Sequence, residues 1–224
     1  MNRAGRKQRR LPRERRRETL LSAARTIVME RGYGELTMGR VAAATGVSKT
    51  LVYDHFAHRR ELYLAVLADE RVRLVQRLAP ALAYGDREER VRSGVHAFLE
   101  LVDEYGDGYA ELFRNPIAHD PELAGELRRV RDGVAEMVAG LIARDVGVPV
   151  ETVLLPAQAI VGSMEAAADW LTRTPQAQRP TLERTTAVLS RLIWQGLDGL
   201  GRAEARAAAE NEPVPLRPRA DRGA

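Results

Sequence analysis

No cysteine occurs in the 224-residue chain, so disulfides, zinc-cysteine sites, thiol catalysis and thiol redox sensing are excluded. Aromatic residues are only 5% of the sequence, and no Val/Ile/Thr run alternates over the length of a strand, which argues against a sheet. Long apolar runs are missing too. The best stretch, Val153 to Met164, is broken by Pro156, Gln158 and Ser163 and falls short of the ~18 residues a bilayer-spanning helix needs. The Arg-rich start has no apolar block or small-residue cleavage site, so it does not read as a secretory signal and a cytoplasmic location is expected. Gly-x-Ser-x-Gly, Glu-x-x-His and a Gly-rich phosphate loop are all absent, and no enzyme is expected. A helical enzyme using paired carboxylates, such as Glu100 with Asp103 or Glu104, is the rival in that class. His55 and His58 lie three apart without a third ligand in view, so neither a metal nor a cofactor is expected.

What the chain does have is unevenly placed charge. Residues 1–60 hold 15 Lys+Arg against 5 Asp+Glu, and residues 61–224 hold 20 against 26, so a head of +10 sits on a body of −6. Such a head suits phosphate binding, because neutralising phosphates releases condensed counterions. A solvated basic tail has the same composition, and charge alone does not choose between them.

Helical periodicity organises the rest. The spacing of Leu20, Leu21, Ala24, Ile27 and Val28 predicts a helix over 13–31, stopped by Gly32. Short helices over 38–44 and 49–54 follow Thr37 and Ser48, residues able to cap exposed amides. Longer ones are predicted over 58–78, closed by Pro80 and Gly85, then over 86–105, 109–114, 121–146, 150–172 and 181–200. The expected fold is all-α, about nine helices. An Arg-rich arm (1–12) precedes a compact three-helix domain (13–60), a larger helical domain (61–202) and an unstructured tail (203–224).

Thr37 to Tyr53 carries the chemistry. Two short helices crossing closely need a small residue at the contact and a flexible one in the turn, which Ala42 and Gly46 supply, with Val41, Val47 and Val52 as apolar backing. Ala42, Gly46 and Val47 alone would equally suit a plain αα-corner. With Ser48 as cap, Lys49, Thr50 and Leu51 open the second helix, where side chains reach base edges in a major groove. Tyr53, His55 and Arg59, with Thr37 and Arg40, are expected nearer the phosphates, where contacts fix register. Duplex DNA is therefore the expected partner, and a nonspecific architectural binder is the alternative.

The residues Gly32-Tyr33, Leu36-Thr37, Val41-Ala42, Thr45-Gly46-Val47-Ser48, Tyr53-Asp54-His55-Phe56 and Glu61-Leu62 resemble the TetR family of bacterial regulators, closely over residues 15 to 65. Helix count and the closing stretch Leu189 to Leu197 extend the likeness more loosely. The resemblance implies a homodimer on a palindromic operator and a small-molecule effector in the C-terminal domain, commonly a repressor released by its ligand. It also implies a cavity, for which His96, Phe98, Tyr105, Tyr109, Phe113, Met137, Leu141, Met164 and Trp170 are candidates. These residues are equally suited to an ordinary core. Ile160, Val161, Met164, Ala168, Leu189, Leu192, Ile193 and Leu197 are the expected two-fold interface, with an intramolecular hairpin as the alternative.

Overall fold

Helix α1 (Arg13–Arg31) begins after Pro12 and ends where Gly32 turns to a φ of 81°, burying the expected stripe from Leu20 to Val28. It belongs to a computed structural model that describes residues 12–113 and 121–210, in which every regular element is helical. The Arg-rich arm before Pro12, the loop holding His119 and the tail beyond Glu210 lie outside the described residues. After a 3-10 turn (Tyr33–Glu35) come α2 (Met38–Thr45), α3 (Lys49–Tyr53), α4 (Arg59–Ala83), α5 (Arg87–Tyr105) and α6 (Gly108–Phe113). Then α7 (Pro121–Val146) packs on α8 (Val150–Arg173), and α9 (Leu182–Glu210) lies along α5. No described helix is long and apolar enough to cross a membrane.

Two expected helix ends move. Helix α4 does not stop at Leu78 but carries Pro80 inside it. A proline costs one rung of the ladder, yet the last turn is held from outside. Leu82 packs so closely on α5 that a Cβ at Gly94 would lie 2.6 Å from its Cδ2. Helix α9 runs on to Glu210, well into the stretch expected to be unstructured, because the Ala, Arg and Glu residues there are strong helix formers.

The division expected at residue 60 falls inside α4, and the core runs straight across it. Val41 and Val52 of the N-terminal helices and Phe56, between α3 and α4, share one buried cluster with Leu62, Val66, Leu101, Leu112 and Leu127. The first three helices thus rest on α4, α5, α6 and α7 rather than on a core of their own. Helix α6 is pressed on α1 so tightly that a Cβ on Gly108 would come within 2.9 Å of Met29. Any shift of α6 therefore pushes on α1, since close-packed interiors transmit displacement.

Candidate nucleic-acid interface

The two short helices are held by local hydrogen bonds that their sequences dictate. The Arg40 amide donates to Thr37 Oγ1 at 3.2 Å, and the Leu51 amide donates to Ser48 Oγ at 3.2 Å. Between them, the amides of Gly46 and Val47 donate back to the Ala43 and Ala42 carbonyls, with Gly46 at φ 67°. This is a Schellman closure. A Cβ on Gly46 would meet nothing within 4 Å, so glycine is needed there for its backbone conformation and not for space. Val41, Ala42 and Val52 are buried beneath the crossing and Val47 is half-buried.

The outcome is a helix whose first turn faces water. Thr37, Arg40, Ser48, Lys49, Thr50, Tyr53 and Arg59 are exposed, while Leu51 and His55 are half-buried. The cations are pre-positioned. Lys49 Nζ stands 5.9 Å over the Tyr53 ring, the Arg59 guanidinium 4.6 Å over Tyr33, and Arg40 pairs with Glu35 at 2.5 Å. The Ser48 oxygen accepts in the cap and retains its own O–H to donate.

His58 has a structural task that residue spacing did not suggest. It caps α4, its Nδ1 accepting from the Glu61 amide at 3.1 Å, while Glu61 Oε2 accepts from the Ala57 amide at 2.6 Å. The cap is thus an imidazole nitrogen in place of a hydroxyl, and the return bond from Glu61 reaches the residue before the cap. Among the described residues no group of three His, Cys, Asp or Glu is placed to hold a metal ion. Three arginines of α1 also join the surface. The Arg17 guanidinium lies 5.1 Å over the Phe56 ring, beside His55. Burial first, then Arg13 and Arg16, hold the His55 imidazole below its ordinary pKa, with Arg17 adding to them and Asp54 opposing.

The C-terminal helices enclose a cavity of about 400 Å³. Of the candidates, Phe98, Tyr109, Phe113, Leu141 and Met164 line it. His96, Tyr105, Met137 and Trp170 do not. His96 is turned to Thr186 of α9 (3.3 Å) and Glu100 (3.4 Å), and Tyr105 gives its hydroxyl to Glu70. Met137 packs on the Val134, Ala135 and Val161 cluster, and Trp170 stands 51% exposed on the outside of α8. Periodicity also gave no sign of the arginines at the wall. Arg90 is paired with Asp145 and Arg131 with Glu165, whereas Arg87 and Arg128 form no ion pair among the described residues. Ala124 to Val146 on α7 contribute lining residues over about 33 Å of helix rise, so the space is elongated.

The expected two-fold interface needs correction. Val161, Met164, Ala168 and Ile193 are buried inside their own chain, and Ile160, Leu189 and Leu197 are half-buried against the same clusters. Of the expected set, only Leu192 is exposed. The outward stripe of α8 is instead Leu155 (79% exposed), Ala159, Gly162, Ala166 and Trp170, and α9 exposes Val188 and Leu192. Helix α8 is apolar most of the way round, so sequence spacing could not tell the face turned to α7 from the face turned to solvent.

Comparison with known proteins agrees with this architecture. Residues 20–66 match the family described as bacterial regulatory proteins, tetR family, and residues 87–196 match a tetracyclin repressor-like C-terminal domain. The transcriptional activator FasR of Mycolicibacterium smegmatis is 32% identical over 190 residues, 84% of this chain and 85% of that protein. A TetR-like regulator of known structure from Rhodococcus sp. RHA1 is 30% identical, with a TM-score of 0.64 over 85% of this chain and all of that one. A tetR-family regulator from Streptomyces coelicolor shares the fold at 22% identity, with a TM-score of 0.69 over 91% and 92% of the two chains. With its two capped short helices, its all-helical body and these relatives, the chain belongs to the TetR family of sequence-specific DNA-binding transcription regulators.

Proposed function

We propose that this chain acts as a homodimer in the cytoplasm. It sets its two α3 helices in successive major grooves of a palindromic operator and leaves that operator when an effector fills the cavity. The observation that carries the proposal is the exposed first turn of α3, where Lys49 and Thr50 stand free of the core between two formed caps. Lysine addresses guanine acceptors, and the Thr50 and Leu51 side chains suit a thymine methyl. Tyr53, His55, Arg59, Thr37 and Arg40 hold phosphates. The outward apolar stripes of α8 and α9 pair with those of a second copy. Half-sites one helical turn apart, about 34 to 36 Å, then make the separation of the two heads the controlled quantity.

The effector we infer is elongated and largely apolar with an anionic end. It is matched to the length of the cavity and to Arg87, which lines the end where Arg90 meets Asp145 and forms no ion pair among the described residues. Occupancy that favours heads too far apart lowers operator affinity by the same differential free energy. Whether the operator covers or flanks a promoter decides repression or activation, and the Mycolicibacterium relative is named an activator. The chain works as a regulator, not as an enzyme.

Selection of bound fragments from random duplexes tests the reading. It should enrich one palindrome bound at least ~10³-fold more tightly than bulk DNA. Uniform affinity for all duplexes would establish the architectural alternative instead. Sodium myristate should raise Tm and weaken operator binding, whereas tetradecyltrimethylammonium should do neither.

A further inference from the structure

Helix α1 opens with Arg13, Arg16 and Arg17, spaced i, i+3 and i+4, so that all three share one side of the helix. That side is directed at the end of α3. Arg17 lies over the Phe56 ring, and the His55 and Phe56 rings are 6.4 Å apart. None of the three arginines forms an ion pair among the described residues, although Glu14 and Glu18 are close in sequence. Those two carboxylates are each one residue removed from the arginine row, about 100° round the helix. Asp54 is the carboxylate acting on His55 against the arginines. Three cations converging on a half-buried imidazole is an unfavourable arrangement for the free protein, and it is relieved by an anion placed among them.

We propose that Arg13, Arg16 and Arg17 of α1 form with His55 a phosphate-binding cluster that extends the DNA interface beyond α2 and α3, and that duplex binding draws a proton onto His55. The proposal rests on the DNA-binding reading above. The occupant is the diester backbone of duplex DNA, whose charge is opposite to the cluster's. In the free protein, burial together with Arg13, Arg16 and Arg17 lowers the imidazole pKa and so disfavours its charged form, with Asp54 pulling the other way. A phosphate seated among the guanidinium groups cancels their field at the ring and stabilises the imidazolium, which then donates to a phosphate oxygen. The complex consequently binds more protons than its separated parts. Affinity therefore rises as pH falls through the bound-state pKa of His55, and the gain is lost above it.

Fluorescence anisotropy of the full-length protein with a labelled 30-base-pair duplex of mixed sequence tests this, because phosphate binding needs no operator. Salt and pH are varied. Arg13→Gln/Arg16→Gln keeps the Arg17 stack on Phe56, so the fold is not at issue. It should weaken binding about 10-fold or more at low salt and reduce the slope of log K against log[salt] by roughly 0.9 for each phosphate that is no longer neutralised. Arg13→Lys/Arg16→Lys should restore the slope. In the wild type, affinity should rise between pH 8 and pH 6, and His55→Gln should flatten that rise. An unchanged affinity and slope in the Arg13→Gln/Arg16→Gln protein, or a full pH response in His55→Gln, would overturn the cluster while leaving α3 as the reading helix. A wild-type protein that bound no duplex at all would instead overturn the DNA-binding reading, and the cluster with it.

Discussion

Arg25 of α1 and Glu70 of α4 form an ion pair at 3.2 Å in which the Glu70 side chain is almost wholly buried. Tyr105 of α5 donates its hydroxyl to the same carboxylate, Arg73 approaches it at 3.5 Å, and the Arg25 guanidinium lies 5.3 Å over the Tyr105 ring. One buried charge thus ties the first helix of the reading head to the helices that lead to the cavity. Removing one partner of such a pair leaves an uncompensated charge inside. Arg25→Met should cost about 3 kcal/mol, and Tyr105→Phe about 1 to 2 kcal/mol for removing a hydrogen bond to a charged group. Urea unfolding with an unchanged m-value measures both, and a shift under about 0.5 kcal/mol for Arg25→Met would show the pair to be structurally idle.

Alkaline stability should fall more steeply than for a protein with only exposed tyrosines. Burial raises the pKa of Tyr63, aided by Tyr33 and Glu111, and its hydroxyl donates to the Leu112 carbonyl at 2.5 Å. Burial also raises that of Tyr105, followed by its hydrogen bond to Glu70. Above pH ~10 the unfolded chain releases both protons while the fold retains them, so the unfolded state binds fewer protons and stability declines with pH. Each tyrosine adds about 1.4 kcal/mol per pH unit to the slope. Tyr63→Phe and Tyr105→Phe should each remove one such contribution in urea titrations from pH 9 to 11.

Two glycines of the reading head should respond in opposite directions to alanine. Gly46→Ala meets no atom but must hold a φ of 67°, which costs about 1 kcal/mol or more and disturbs the approach to α3. Gly39 is exposed in α2 with ordinary φ and open space around it, so Gly39→Ala should stabilise by roughly 0.5 to 1 kcal/mol. Thermal melts of the two variants would separate backbone strain from crowding.

Base reading and phosphate holding should separate by mutation. Lys49→Ala should lower discrimination between the selected operator and random duplex by ~1 to 3 kcal/mol, whereas Arg59→Ala should weaken both and lower the salt slope by about one. Equal losses of both kinds in the two variants would refute this division.

Dimerisation should depend on the outward face of α8. Leu155→Arg/Trp170→Glu should give folded monomers in light scattering, with operator affinity greatly reduced. Val161→Asp, which places a charge beside Val134 and Ala135, should instead lose the fold in circular dichroism. A dimer that survived the first change would move the interface elsewhere.

The readable features of this protein are the local ones. Thr37, Gly46 and Ser48 are identifiable as caps because each acts on backbone within four residues of itself, and the stripe from Leu20 to Val28 because period and packing coincide on a helix with one polar side. His58 is not legible as a cap, since imidazole is an unusual acceptor for that position. Helical spacing places Tyr105 near Phe98 and Val102, and so toward the cavity, without showing that Glu70 waits on a neighbouring helix.

Chain order and side-chain type thus determine nine helices among the described residues, the capped turn between α2 and α3, and the exposed first turn that carries Lys49. Only packing in three dimensions decided which stripe of α8 faces α7, which arginines border the cavity, and that Arg25 meets Glu70. The physical reason is range: capping and periodicity act over a single turn of helix. By contrast, a face that is apolar all round, or a charge with several possible partners, acquires its role only when distant segments compete to bury it.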